Sequence, residues 1–265
     1  MTQPIDSPPI PQTSSPSWED VFGVEIRESD EGLVPLSFAE SRILVRPAYY
    51  SAGMDRALPE CFARNSIRRR LLEAGALLPE GLRLVVLDSW RSKETQVALF
   101  NECASALAKA YPDKDEKVIR EMTEEFVAPP SLEKSCPSPH ATGGAVDLTI
   151  ATTDGVPLFF GAPFDYPGPI SNTRYFEECL ERGKELDERE KTALGNRRLL
   201  YDVMVRAGFV NYHGEWWHFE YGTQRWAYVK NKPCALYGPR NVVLNSFAVF
   251  SPSADDITTL VTAGG

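Results

Sequence analysis

No run of about eighteen apolar residues occurs in this chain of 265, so no segment has the length of a membrane-spanning helix. The opening stretch, MTQPIDSPPIPQTSSPSWED, lacks both the basic and the apolar region of a secretory signal. Cysteine is sparse: five residues, at 61, 103, 136, 179 and 234, without a CxxC pair. An odd, scattered set excludes a disulfide framework and a thiolate zinc cluster, and it suits reduced thiols in a cytoplasm, where the protein is expected to reside. Basic residues are fewer than acidic ones, 28 against 37, and the net charge of -9 would repel a phosphate backbone. Neither nucleic acid nor a membrane is therefore expected as a partner. Gly143 and Gly144 lack the lysine of a phosphate-cradling loop, and no HExxH helix is present. Histidine is scarcest of all, with three residues at 140, 213 and 218.

What is present, 43% hydrophobic and 25% charged residues, suits one domain or at most two with a substantial core. Residues 1–17 hold five prolines among Ser, Thr and Gln and read as a flexible, extended arm. Residues 18–250 are the expected domain, and the last fifteen, 251–265, add an edge strand and a loose tail. Phe62, Ile67, Leu71 and Leu72 recur near helical spacing and predict a helix from Glu60 to about Leu78. The run LRLVVL, Leu82–Leu87, reads as a buried strand that leaves Arg91 near its end. Ser92 is placed to cap a helix over Lys93–Ala110, and another follows over Asp115–Val127. Residues 131–144 read as loop, Ala145–Ile150 as a strand bearing Asp147, and 151–174 as a long surface loop. Helices are predicted over Tyr175–Gly183 and Glu188–Ala207, with Gly208 closing the second. Two strands, Phe209–Tyr212 and Glu215–Tyr221, then join at His213 and Gly214.

A catalytic zinc site takes three imidazole or carboxylate ligands at about 2 Å and keeps one position open for water. His140, Asp147 and His218 make such a set. Glu215, three residues before His218, is placed as the carboxylate that takes a proton from the attacking water without binding the metal. Arg91 is a candidate for stabilising an oxyanion. Spacing alone leaves an ordinary alternative open, a surface histidine on a loop and a strand aspartate engaged in a salt bridge. There is also a geometric conflict, because positions i and i+3 of a regular strand point to opposite faces. Glu215 and His218 can face one metal only across a bulge or a strand-end bend, and such a distortion is predicted. His213 is expected in a turn facing solvent, Cys136 outside the ligand set, and at least one of Trp216 and Trp217 in the core. Arg68, Arg69 and Arg70 read as a solvated face pairing with Glu73.

Ser138, His140, Gly143, Ala145 and Asp147 fit the pattern SxHxxGxAxD, and Glu215, Trp217 and His218 fit ExWH. Both motifs resemble those of the zinc-dependent D-alanyl-D-alanine dipeptidases. The likeness continues through LVVLDSWRSKETQ (84–96) and NRRLLYDVMVRAGF (196–209), and spans roughly residues 40–230. The resemblance implies one Zn2+ on His140, Asp147 and His218, Glu215 as the catalytic base, and Arg91 as the group meeting the tetrahedral transition state. It further implies that Asp165, in the pair Phe164 and Asp165, holds the substrate's ammonium group and that Ser138 helps to place the substrate. Asp88, Ser89, Trp90, Arg91 and Ser92 stand where the family commonly has Asp-Gly-Tyr-Arg-Pro, and no substrate-tyrosine segment is recognisable after Tyr49 and Tyr50. The expected protein is an α+β single domain, a small antiparallel sheet carrying the zinc site with helices packed on it. Its expected activity is hydrolysis of D-alanyl-D-alanine or a close D,D-dipeptide. Two alternatives stand beside it: a D,D-carboxypeptidase or peptidoglycan peptidase acting on longer peptides, and a zinc-bearing binding module without turnover. No oligomeric state is implied.

Overall fold

The computed structural model describes residues 7–12, 16–38, 42–127 and 135–242. In chain order its elements are α1 (Trp18–Phe22), β1 (Leu33–Pro35), β2 (Ile43–Val45), α2 (Ala48–Ser51), β3 (Phe62–Arg64), α3 (Asn65–Leu77), β4 (Leu82–Asp88), α4 (Lys93–Ala110) and α5 (Glu116–Phe126). There follow β5 (Ala145–Thr152), α6 (Tyr175–Glu181), α7 (Glu188–Arg206), β6 (Val210–Asn211), β7 (His218–Glu220) and α8 (Gln224–Val229). The main sheet has the order β2-β4-β5-β7-β6, beside a separate antiparallel ribbon of β1 and β3. From β4 to β6 every neighbour is antiparallel, as expected. At the edge β2 adds parallel to β4, a pairing made reachable by the crossover through α2, β3 and α3.

Strand β5 lies at the centre, and alternation along it separates two jobs. Val146, Leu148 and Ile150 join Leu84 and Val86 of β4 and Phe219 of β7 in a core closed by Ile67 and Leu71 of α3 and by Leu199, Leu200 and Val203 of α7. Each such side chain contributes roughly 1.5–3 kcal/mol by leaving water, so this face holds the sheet to its helices. Asp147 and Thr149, between them in sequence, turn to the opposite face. There the register sets Asp88, Asp147 and His218 side by side on three adjacent strands. A bulge between Val86 and Asp88 is what brings Asp88 opposite Asp147.

Ser92, Asp115 and Asp187 cap α4, α5 and α7 through their side chains, and Gly208 follows α7 with φ +94. The helix expected from Glu60 starts only at Asn65, because Phe62–Arg64 is drawn into pairing with β1. The two strands predicted near residue 215 are shorter than expected, since residues 212–217 form a turn between them. Helix α8, capped by Thr223, was not anticipated by the periodicity. Part of the proline-rich arm is docked. Ile10 is buried, its N–H donates to Glu177 Oε1 at 2.9 Å, and its carbonyl accepts from Arg174 Nε at 3.0 Å. The basic run is also not a solvated face. Arg70 donates to the Ala207 carbonyl and the Tyr221 hydroxyl while lying over the Tyr221 ring, Arg68 donates to the Phe38 carbonyl, and of the three only Arg69 is exposed. The predicted tail and edge strand lie outside the described residues. Among the described residues no helix is long and apolar enough to cross a membrane.

Candidate active site

His140 enters the site on a 3-10 turn, His140–Thr142, that Gly143 closes with φ +70. A Cβ on Gly143 would collide with Leu33 as well as force a side chain into left-handed backbone. Behind the turn, the fully buried Arg64 donates from Nε to the Thr142 carbonyl at 2.7 Å and from its backbone N–H to the Gly143 carbonyl at 3.0 Å. Asp147 and His218 are cross-strand partners. Glu215 sits in the turn before β7, so the predicted strand-end distortion is present and relieves the i, i+3 conflict. That turn is tied down from below: Asn211 Nδ2 donates to the carbonyls of Glu215 at 3.0 Å and His218 at 2.9 Å. The Trp216 N–H donates to the Ser171 carbonyl at 2.9 Å.

His140 Nε2 and His218 Nδ1 are 3.3 Å apart. Asp147 reaches both, with Oδ2 3.4 Å from His140 Nε2 and Oδ1 2.9 Å from His218 Nδ1. Among the described residues these three buried side chains are the group whose ligand atoms converge for a metal, all within 4.8 Å of one another. For bonds of ~2.0–2.1 Å, a tetrahedral zinc site has ligand-to-ligand edges of roughly 3.3–3.4 Å, so the spacing of the two imidazoles fits that ion. The remaining ring nitrogens meet acceptors: His140 Nδ1 lies 2.6 Å from the Ser89 carbonyl and His218 Nε2 3.2 Å from Glu220 Oε1. A carbonyl and a carboxylate can only accept, so each ring donates there. His140 Nε2 is left as a lone pair, and His218 Nδ1, which without an ion donates to Asp147 Oδ1 at 2.9 Å, offers its lone pair to a cation that displaces that proton, so with Asp147 the two nitrogens make a donor set. Burial pushes His140 down to about 3, whereas at His218 the bonds to Asp147 and Glu220 outweigh burial and lift it to about 10.

Glu215 Oε2 is 3.7 Å from His218 Nδ1, and 34% of the Glu215 side chain remains open to solvent. Crowding by protein atoms raises its carboxyl to about 7, with the charges of Asp147 and Asp165 adding to the rise. Arg91 donates from Nε and Nη2 to Asp88 Oδ2 at 2.9 and 2.7 Å and from Nη1 to Gln96 Oε1 at 2.8 Å. Its Nη2 lies 3.6 Å from Asp147 Oδ2 and donates to the Tyr49 hydroxyl at 3.0 Å. Tyr49 in turn donates to Asp165 Oδ2 at 2.7 Å. Asp165 keeps contact with solvent at the rim, and its crowded surroundings push it up to about 6. Phe164 beside it packs on Tyr49 and Trp217. Ser138 is half-buried at the start of the His140 turn, where its carbonyl accepts from the Ala141 N–H at 3.0 Å.

The structure thus gathers His140, Asp147, His218, Glu215, Arg91 and Asp165, with Ser138 two residues from the cluster in sequence. His213 is exposed in its turn, Cys136 is not among the converging ligands, and both Trp216 and Trp217 are buried. Sequence reasoning missed Tyr49, Asp88, Gln96 and Glu220. Asp88 had a readable signal, as the acidic residue ending an apolar strand three places before Arg91, and so had Glu220, two residues beyond His218 on a predicted strand.

A family model for D-Ala-D-Ala dipeptidases matches residues 54–235. The chain belongs to this family. It is accordingly a metallopeptidase, a metal-dependent hydrolase of peptide bonds. Among curated relatives of the peptidase, the D-alanyl-D-alanine dipeptidase of Synechocystis sp. is 25% identical over 80% of this chain and 90% of its own length. The D-alanyl-D-alanine dipeptidase of Escherichia coli is 30% identical over 53% of this chain and 55% of its own length. A solved structure of VanYB in complex with D-alanine-D-alanine matches 66% of the peptidase and 81% of its own chain at 18% identity, with a TM-score of 0.38.

Proposed function

We propose that this peptidase hydrolyses D-alanyl-D-alanine, or a closely related D,D-dipeptide, at one zinc ion held by His140 Nε2, Asp147 and His218 Nδ1. The observation that carries the reading is the convergence of two imidazole nitrogens and a carboxylate within 4.8 Å, with Glu215 against its edge. The names of the two curated relatives support the substrate. Zinc bound there supplies a Lewis acid for the scissile carbonyl and lowers the pKa of water toward neutrality. Glu215, raised to about 7, accepts the proton of the attacking water and delivers it to the leaving amine. Arg91, fixed in orientation by Asp88 and Gln96, meets the negative charge that develops on the carbonyl oxygen. Asp165 receives the substrate's ammonium group, and Ser138 lies on the side of its carboxylate. Five free thiols suit a reducing compartment, and a cytoplasmic setting belongs to the same reading.

The test is release of free amino acid from D,D-, L,D- and L,L-dipeptides and from a D-Ala-D-Ala-terminated pentapeptide, with zinc and with a chelator. Chelator-sensitive cleavage of D,D-dipeptides alone is the expected outcome. Cleavage of the pentapeptide would move the enzyme to the carboxypeptidases, and no cleavage by zinc-loaded protein would sink the substrate assignment.

A further inference from the structure

The strongest unexplained group behind the site is Glu220, which belongs to neither motif. Two residues beyond His218 on β7, it shares the face of that histidine, and it is 1% exposed. Every contact of its carboxylate is specific: His218 Nε2 at 3.2 Å and Arg225 Nε at 3.1 Å on Oε1, and the Thr223 hydroxyl on Oε2. Arg225 is itself 4% exposed, and its guanidinium lies 4.6 and 4.7 Å from the rings of Trp18 and Tyr212. A buried ion pair of this kind adds little to stability that apolar side chains of the same volume would not supply. Its use has to be sought in what it touches. His140 is backed differently: its Nδ1 lies 2.6 Å from the Ser89 carbonyl and 3.3 Å from Asp88 Oδ2, a carboxylate already paired with Arg91.

We propose that Glu220, held by Arg225 and Thr223, is a positioning residue for the metal. It accepts the Nε2 proton of His218, fixes the tautomer that presents Nδ1, and strengthens that nitrogen as a donor. Arg225 balances the carboxylate's charge and keeps it aimed at the ring, and the aromatic pair keeps water away from Arg225. Carboxylates in this relation to a ligating histidine typically govern metal affinity by about 10–100-fold. The inference rests on the metal-site reading above, and the experiment separates the two.

Zinc affinity of the full chain is measured by competition with a chromophoric chelator for wild type, Glu220→Gln and Glu220→Ala, alongside the melting temperature of each protein after chelation. Glu220→Gln keeps size and an acceptor oxygen but removes the charge. It is expected to weaken zinc binding about 10-fold, and Glu220→Ala by up to about 100-fold, in addition to the lower melting temperature of the chelated protein that an unpaired, buried Arg225 brings. A Gln variant that binds zinc within about twofold of wild type overturns the proposal. So does one whose only change is a lower melting temperature, since that is the mark of a purely structural role. If the Ala variant does not fold, the Gln variant decides. Asp147→Asn serves as the control for the site: if it binds zinc as tightly as wild type, the metal-site reading fails whatever Glu220 does.

Discussion

At the scale of single residues, each histidine of the cluster spends one ring nitrogen to define the other. Of the acceptors that do this, the Ser89 carbonyl lies just past the end of β4 and could not be read from local spacing, whereas Glu220 stands two residues beyond His218 on the same strand. His140, Asp147, Glu215 and His218 were legible because their chemistry is written in residue type and in two short motifs. Tyr49 was not, since it joins Arg91 to Asp165 only after α2 has been folded against β4. Glu215 provides the sharpest test at this scale. Glu215→Gln preserves volume but offers no proton acceptor, so kcat is expected to fall roughly 10²–10⁴-fold. Zinc content by elemental analysis should stay at the wild-type level. Loss of zinc in step with activity would make Glu215 a ligand instead.

At the scale of elements, the site depends on departures from regularity. A bulge in β4 turns Asp88 inward, a left-handed glycine ends the turn bearing His140, and β7 starts late enough to leave Glu215 in a bend. Periodicity predicts the regular parts and is blind to these, which explains why the strand expected over Glu215–Tyr221 proved too long while the need for a distortion was foreseen. Gly143 ties the irregular backbone to stability. Gly143→Ala must adopt φ near +70 and displace Leu33, and it is expected to cost about 1–3 kcal/mol in urea unfolding. An unchanged midpoint would show that the turn relaxes without strain.

At the scale of the whole molecule, α6 and α7 are clamped to the arm by Glu177. Burial alone would raise its carboxyl, but Arg198, at 2.7 Å from both oxygens, and the Ile10 N–H together hold it below its ordinary value. A depressed folded pKa contributes stability above the unfolded value of about 4.5 and loses it as pH falls through the folded one. Glu177→Gln is therefore expected to be less stable than wild type at pH 7 by about 1–3 kcal/mol, toward the low end because Arg198 partly reaches solvent. The gap should narrow as pH drops below about 4.5, and a gap independent of pH in urea unfolding would remove the ion pair from the account. The docked arm escaped sequence analysis because one isoleucine among prolines carries no periodic signal. The helices and central strands were legible because their apolar faces and caps are local features.

Asp88, Asp147 and His218 stand in a row on one face of the sheet, while Val146, Leu148 and Phe219 secure the other face to its helices. The apolar face that seats the sheet on its helices is thus separate from the row that would hold the ion. Chelating the proposed ion is therefore expected to stop turnover while the sheet stays seated on its helices, so that adding the metal back restores activity without refolding.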